Sequence, residues 1–187
     1  KHIRKVEDLF KKSPVVDFSS IARITKNKNY SKQLIRNLIL KDKIKKLAKG
    51  YYTSHDNASL VIFCFKQAYL GLQDALSFHN LWEQEVIPVV ITTGKARQGI
   101  RKVLGANVLI RRLNKRYFFG FDYCKQGKFY LPYSDIEKTF IDMVYFKENL
   151  SREVLEEIKN RINMKKFNMY VKAYPKRFKN RVRKMLL

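Results

Sequence analysis

Three side chains suited to reading DNA bases, Gln33, Arg36 and Asn37, lie on one face of a predicted helix. Arginine can bond guanine edges, whereas glutamine and asparagine can bond adenine edges. The helix is predicted to begin at Ser31, its expected N-cap, and to end near residue 42. At about 100° per residue, the three side chains fall opposite an apolar stripe, and Lys32 lies at the margin. The stripe consists of Leu34, Ile35, Leu38 and Ile39. A plain solvated helix face is the alternative, and the flanking elements decide between the two.

The elements around this helix have the order of a winged helix-turn-helix. A short helix capped by Asp17 or Ser19 is predicted to run to about Thr25, and a polar turn over residues 25–29 follows it. A further helix is predicted over residues 2–12, ended by the Ser-Pro pair after it. In such a module the second helix of the pair enters the major groove.

Two short strands are predicted after the base-reading helix, over residues 43–47 and 51–54. Gly50 supplies the backbone freedom that the turn between them needs. Lysines on this strand pair are placed to touch phosphate, which positions a protein on DNA without reading sequence. The residues of this module predicted to contact DNA are Lys26, Lys28, Asn29, Ser31, Lys32, Gln33, Arg36, Asn37, Lys45, Lys46 and Lys49.

A second basic cluster lies at the end of the chain, in a helix predicted from Pro175 onward. Its apolar stripe is Phe178, Val182, Met185 and Leu186. Three interpretations remain for the basic face: a second DNA contact, which we favour, a surface for a protein partner, or a solvated face. A basic amphipathic helix also fits a membrane surface or a calmodulin-like protein. The DNA-contact interpretation names Lys176, Arg177, Lys179 and Arg181.

The charge of the whole chain favours a polyanionic partner. The 187 residues carry a formal net charge of +24, with 15 Lys and Arg against 5 Asp and Glu in residues 1–56, and 12 against 3 in residues 151–187. Such a field predicts steeply salt-dependent binding. A general lysine bias explains part of the excess, because 27 of the 40 basic residues are Lys, but it explains the clustering at both ends less well.

The remainder of the chain predicts an α+β domain. We place the domain boundary at the polar residues 55–57, which gives a winged helix-turn-helix over 1–56 and a C-terminal domain over 57–187. Apolar helical spacing over residues 58–69 and 72–82 predicts helices. A capping box is predicted at Ser134 and Glu137. Strands are predicted over 88–93, 108–112, 117–121 and 129–131, and later helices over 134–145, 151–162, 165–174 and 176–187.

The alternatives with catalytic chemistry are weaker. Asp122, Asp135 and Glu137, with Lys128 and Lys138, are the nearest candidates for a metal-dependent nuclease, but their spacing is loose. Lys138 and Asp142 are four residues apart, which is typical of an ordinary surface ion pair. We therefore expect no enzymatic activity.

No cofactor or metal is expected either. Residues 94–99 lack the Gly-Lys-Ser/Thr ending of a phosphate-binding loop, and His79 is expected to be a packed, hydrogen-bonded histidine. Cys64 and Cys124 lie outside any zinc-binding pattern and are predicted to be buried free thiols in a reducing cytosol. Since no membrane span or secretory signal is visible, the expectation is a soluble, cytoplasmic protein.

Several segments together resemble one family. They are Lys49-Gly-Tyr-Tyr52, residues 69–81 with Asp74-Ala-Leu-Ser77, Val90-Ile-Thr-Thr93, Tyr117-Phe-Phe-Gly120, and Tyr133-Ser-Asp-Ile-Glu-Lys-Thr139 continuing to Asp142. The combination resembles the AbiEi-type antitoxins, predicted transcriptional regulators of type IV toxin–antitoxin systems, over nearly the whole chain. The resemblance implies an N-terminal winged helix, a C-terminal antitoxin domain, repression of its own operon at upstream repeats, and a nucleotidyltransferase-like toxin as partner.

These observations predict a sequence-specific DNA-binding repressor, the antitoxin of a type IV pair. Two copies on an inverted repeat would fit the geometry of such regulators. The alternatives are a metal-dependent nuclease and an architectural nucleic-acid-binding protein without sequence preference.

Overall fold

The computed structural model describes residues 2–186, which form a mixture of helices and strands divided between two compact units. The first unit comprises the chain up to Lys66 together with Lys102–Asn107, and the second comprises Gln67–Arg101 and the chain from Val108 onward. The boundary proposed at residues 56 and 57 stays a prediction, because compactness alone does not define a functional domain. Within residues 2–186, every helix is too short or too polar to cross a bilayer.

The first unit combines three helices with a small three-stranded sheet and a 3-10 helix. Its helices are α1 (His2–Lys12), α2 (Phe18–Thr25) and α3 (Lys28–Leu40), and its strands are β1 (Val16–Asp17), β2 (Lys45–Ala48) and β3 (Tyr51–Thr53). The strands lie in the order β1-β3-β2, with both pairs antiparallel. Residues 58–64 form a 3-10 helix.

The core of the first unit arises from helical periodicity. Val6 and Phe10 of α1 lie one turn apart and are buried, as is Ile21 of α2. They pack with the buried residues Val16, Leu34, Ile35, Leu38 and Ile44. The buried face of α3 is therefore anchored from two sides, by the other helices and by the strand segment.

A six-stranded mixed sheet in the order β6-β7-β5-β4-β9-β8 belongs to the second unit, except for residues 102–107 around the β6–β7 turn. The strand pairs β4–β5 and β8–β9 are antiparallel, and β5–β7 and β4–β9 are parallel. β8 and β6 are therefore the edge strands. The strands are β4 (Ala68–Leu70), β5 (Val89–Thr92), β6 (Gly99–Val103), β7 (Ala106–Arg112), β8 (Phe121–Gln126) and β9 (Phe129–Ser134).

Five helices cover this sheet and bury an aromatic core. They are α4 (Leu72–Phe78), α5 (Ile136–Tyr145), α6 (Arg152–Arg161), α7 (Met164–Val171) and α8 (Lys176–Leu186). The rings of Tyr117 and Tyr174 stack at 4.1 Å, and Tyr174 stacks in turn on Phe178 at 4.8 Å. Trp82 is half-buried against this core. The predicted apolar stripe of α8 is confirmed at Val182, which is fully buried.

Several predicted elements of the second unit are wrong. The strand predicted over residues 117–121 is a 3-10 turn, Lys115–Tyr117, followed by Phe118 and Phe119, whose rings turn into the core. The helix predicted over 58–69 divides into the 3-10 helix and β4. β6 was not predicted, because its residues are mostly polar and exposed and show no apolar alternation.

The start of α5 also differs from the prediction. Its N-cap is Asp135, whose Oδ1 accepts a hydrogen bond from the Lys138 backbone N–H at 2.8 Å. Ser134 is fully buried at the end of β9, and its hydroxyl lies 2.7 Å from that of Thr139. Ser134 and Asp135 are both suitable capping residues. Because Ser134 belongs to β9, Asp135 caps α5.

Candidate nucleic-acid interface

The turn between α2 and α3 is held by a small polar network. The Thr25 and Ser31 hydroxyls lie 2.6 Å apart, and the Ser31 hydroxyl also donates to the Asn27 carbonyl at 2.8 Å. The Asn27 side chain caps α3 by accepting a hydrogen bond from the Tyr30 N–H at 3.0 Å. Lys26 has φ 57°, a left-handed conformation that ends α2 and lets the chain reverse. The angle between the two helices is thus fixed by side chains within the turn.

The exposed face of α3 is the one predicted to read bases. Lys32, Gln33, Arg36 and Asn37 are exposed, while Leu34, Ile35 and Leu38 are buried at 5% exposure or less. Lys28 and Asn29, in the first turn of the same helix, are exposed as well. Six polar side chains therefore share one end and one face of a helix whose opposite face is fixed in the core.

Two residues of this helix were assigned wrongly. Ser31 is completely buried, and its hydroxyl is used by Thr25 and Asn27, so it cannot contact DNA and is not the N-cap. Asn27 takes the cap instead, and α3 begins one turn earlier than predicted. Ile39 was expected in the core but is 38% exposed, because the helix ends at Leu40 and the core contacts stop at Leu38.

The lysines of the β2–β3 hairpin differ in whether they are exposed or paired with acidic side chains. Lys46 and Lys49 are exposed, and Gly50, at φ 80°, makes the turn beside Lys49. The Lys45 ammonium instead bonds Asp56 and lies 4.0 Å from Asp42. The hydrogen bond to Asp56 raises the pKa of Lys45 and locally cancels its charge. Lys45 is therefore less available to a phosphate group than predicted.

The electrostatics of the helix pair are one-sided. Neither α2 nor α3 contains an acidic residue. Arg23, which was not among the predicted DNA contacts, is exposed on α2, with its guanidinium 3.2 Å from the Ser20 hydroxyl. Tyr30 is also exposed, at 38%, near the start of α3. Helical spacing on α2 from Ile21 would have identified Arg23 as outward-facing.

The basic face of α8 is present within the second unit. Lys176, Arg177 and Arg181 are exposed, and Lys179 is half-buried. Phe178 and Val182 fix the opposite face in the aromatic core. The helix therefore presents a dense positive surface on a rigid support.

Two of the three carboxylates considered for a nuclease have internal roles, whereas the third, Asp122, is exposed on β8. Asp135 caps α5 and accepts a hydrogen bond from the Tyr170 hydroxyl at 2.7 Å, and Glu137 accepts one from the Asn163 backbone at 2.7 Å. Lys166 pairs with both carboxylates. Within residues 2–186, no three His, Cys, Asp or Glu side chains come together in a way that could hold a metal ion.

Lys138 and Asp142 form a fully buried pair, so the predicted surface ion pair is wrong. Asp142 also accepts a hydrogen bond from Tyr69 at 2.6 Å, and the Lys138 ammonium lies 3.3 Å from the Tyr174 hydroxyl. Burial lowers the pKa of Lys138 and raises that of Asp142, while the attraction between the two opposes both shifts. The pair joins α5 to β4 and to Tyr174 in the segment between α7 and α8, which is a structural role.

The histidine and the two cysteines considered in the sequence are also explained by their packing. The Nε2 atom of His79 lies 2.7 Å from the Ser134 carbonyl oxygen, which confirms a packed, hydrogen-bonded histidine. Cys64 and Cys124 are free but half-buried rather than fully buried, and burial raises the pKa of the Cys64 thiol to about 12.

No protein-family model matches the sequence, and no curated protein is significantly similar to it.

Proposed function

We propose that the chain is a sequence-specific DNA-binding transcriptional regulator whose first unit acts as a winged helix-turn-helix. The observation that carries this proposal is the face of α3, where Lys32, Gln33, Arg36 and Asn37 are exposed together on a helix anchored by its opposite side. A rigid helix with arginine and amide side chains outward is suited to a major groove.

The other parts of the unit supply positioning contacts. Lys46 and Lys49 on the hairpin reach phosphate or the adjacent minor groove. Lys26, Lys28 and Asn29, near the start of α3, contact the sugar-phosphate backbone of the DNA. In the second unit, the exposed basic residues of α8 supply a further DNA contact. Such contacts set affinity and salt dependence rather than sequence preference.

The biological role that fits best is a cytoplasmic repressor of its own operon, acting as the antitoxin of a type IV pair. The support for this finer role is the resemblance of residues 49–52, 69–81, 90–93, 117–120 and 133–142 to the AbiEi-type antitoxins. A nucleotidyltransferase-like toxin is then the expected protein partner, and a pair of molecules on repeated operator sites is the expected DNA complex.

A gel-shift assay on the DNA upstream of the gene, with unrelated competitor duplex and with or without magnesium, tests the proposal. A discrete shift that resists competitor supports it. A shift that any competitor abolishes would identify an architectural binder, and cleavage that requires magnesium would identify a nuclease. Coexpression with the product of the adjacent gene tests the antitoxin role separately, since growth rescue is expected only for a cognate toxin.

Substitutions separate base reading from phosphate contact. Arg36→Ala is expected to cost about 1–3 kcal/mol on the preferred site and to relax preference there, because a base contact is lost. Lys49→Ala is expected to weaken all duplexes about equally. Binding titrations on the selected duplex and on a scrambled duplex measure both effects, with Lys11→Ala on α1 as the control. Unchanged affinity and unchanged sequence preference in Arg36→Ala would contradict the proposal that α3 lies in the major groove.

A further inference from the structure

Two large aromatic side chains of the β8–β9 hairpin are exposed to solvent. Tyr123 is 64% exposed and Tyr130 is 61% exposed. The strand register pairs Tyr130 with Lys125 and Tyr123 with Pro132. Because directly opposed residues share one face of a sheet and side chains alternate along a strand, Tyr123, Lys125 and Tyr130 lie on the same face.

This surface is also positively charged. Lys128 is exposed in the turn beside Gly127, next to the strand end that carries Lys125 and Tyr130. Asp122, the acidic residue of β8, points to the opposite face and contributes to the electrostatic environment of Lys166. Among residues 2–186, the ion pairs of the second unit involve neither Lys125 nor Lys128. We call Tyr123, Lys125, Lys128 and Tyr130 the tyrosine face.

Among residues 2–186, neither ring of the tyrosine face is paired with another aromatic ring. The stacked rings of this unit are others, such as Tyr69 on Phe121 and Phe78 on Tyr133. In the same strands, Phe121 is half-buried and Tyr133 is buried, so Tyr123 and Tyr130 are the aromatic side chains of β8 and β9 that are left exposed. Two aromatic rings left in water beside two lysines form a surface that can gain free energy from an anionic partner with flat rings.

We propose that the tyrosine face binds unpaired nucleotides, whose bases stack on Tyr123 and Tyr130 and whose phosphates are neutralised by Lys125 and Lys128. The two tyrosines are diagonal neighbours across the strand pair, which places them roughly 7–8 Å apart. Bases in a duplex are stacked about 3.4 Å apart on each strand. Two consecutive bases can therefore stack on the two rings only if they first move apart from each other. Bases in a single strand move apart more readily than bases in a duplex. The site is thus distinct in location and ligand from the duplex contact proposed for α3.

The composition of the edge disfavours a second copy of the chain or another protein strand as the occupant. β8 is an edge strand, and edges that carry lysine resist pairing with further strands. Lys125 would face another Lys125 or another part of a chain with net charge +24. A nucleic acid strand matches both the charge and the rings.

Fluorescence anisotropy with labelled twelve-nucleotide oligo(dT) and oligo(rU), and with a twelve-base-pair duplex, tests the inference. We expect Tyr123→Ala/Tyr130→Ala to bind both single strands at least about tenfold more weakly, because stacking on each ring is lost. Tyr123→Phe/Tyr130→Phe should bind like the unmodified protein, since the rings remain. Duplex affinity should be unchanged in both variants. Ile100→Ala, with 64% exposure on the opposite edge strand, is the matched control.

The possible outcomes separate this site from the function proposed for α3. Single-strand affinity that is unchanged in the double alanine variant, or equally reduced in the double phenylalanine variant, would overturn the stacking site. Loss of single-strand and duplex affinity in equal proportion would overturn it as well. If sedimentation velocity shows self-association that the alanine substitutions abolish while oligonucleotide affinity is unchanged, the face is a contact between copies and the inference is wrong. Failure of Arg36→Ala to alter duplex preference would affect only the proposal for α3.

Discussion

At the scale of single residues, the Lys138–Asp142 pair shows the clearest difference between the prediction from sequence and the structure. Spacing by four on a helix indicates an ion pair but does not indicate whether the pair is in water. Both side chains are fully buried here, with the ammonium 5.3 Å from the Phe119 ring centre and 5.6 Å from that of Tyr69. A buried pair is costly to break but is replaceable as a unit.

We therefore predict that Lys138→Met lowers the free energy of unfolding by about 3–5 kcal/mol, because it leaves a buried carboxylate without its cation. Lys138→Met/Asp142→Leu should recover part of that loss, since no charge remains inside. Urea unfolding of both variants beside the unmodified protein gives the comparison. A double variant less stable than the single variant would show that the pair is needed for more than charge balance.

Asp74 gives a second prediction at this scale, for pH dependence. Burial raises its pKa from 3.8 to about 7, although the Val89 N–H donates to its Oδ2 at 3.1 Å. A carboxyl whose pKa is higher in the folded state contributes stability at low pH and loses that contribution as the pH rises through about 7. Asp74→Asn removes this titration while retaining an oxygen acceptor.

The stability of Asp74→Asn relative to the unmodified protein should thus rise by on the order of 2–3 kcal/mol between pH 5 and pH 8. Denaturant unfolding at the two pH values measures it. Asp135 is a suitable control position, because it is a half-buried capping carboxylate with hydrogen-bonded partners. An equal stability difference at both pH values would contradict the assignment of the titrating group.

At the scale of elements, the turn before α3 determines how the exposed face proposed to read bases is presented. Asn27→Ala should lower stability by about 1 kcal/mol through loss of the cap and should weaken operator binding, because the start of α3 is loosened. Sequence preference should be kept. Asn163→Ala removes the equivalent cap from α7, where Asn163 accepts from the Lys166 N–H at 3.1 Å. It should cost similar stability with no change in DNA affinity, and equal affinity losses in the two variants would refute the role of the turn.

Elements with a clear period could be predicted from the sequence, and those decided by distant contacts could not. The buried and exposed faces of α3 follow from spacing alone, except at Ile39, which lies beyond the last residue of the helix that contacts the core. Two suitable caps compete at Asn27 and Ser31, and the network with Thr25 selects Asn27. Residues 117–121 have strand-like composition, yet Gly120 has φ 75° and the segment turns.

The region around Gly120 shows why local pattern was insufficient. A side-chain carbon at this position would lie 2.8 Å from Cβ of Lys138 and 2.9 Å from the Tyr170 ring. The segment is therefore shaped by α5 and α7, which follow it in the chain. No local propensity contains that information.

At the scale of the whole molecule, the formal charge of +24 predicts that the proposed DNA binding depends steeply on ionic strength. The logarithm of the association constant should fall linearly with the logarithm of salt concentration, with a slope of about −0.9 for each phosphate contacted. A basic surface that contacts DNA contributes to this slope, and one that is merely solvated does not.

We predict that Lys176→Ala/Arg177→Ala/Arg181→Ala reduces the magnitude of the slope by about two or three, as expected for phosphate contacts by α8. The control removes the same charge elsewhere in the second unit, through Lys115→Ala/Arg116→Ala/Arg152→Ala, all exposed residues. Titrations at several potassium chloride concentrations give both slopes. Equal slopes in the two triple variants would leave α8 without a specific DNA contact.

The position of Trp82 has a practical consequence for experiments on both units. It is the single tryptophan of the chain, and it packs against the core of the second unit. Its emission therefore reports on the second unit alone, while far-ultraviolet circular dichroism reports on the helices of both. Comparing the two signals along one denaturation curve will reveal whether the units melt as one cooperative block or in sequence, without any added label.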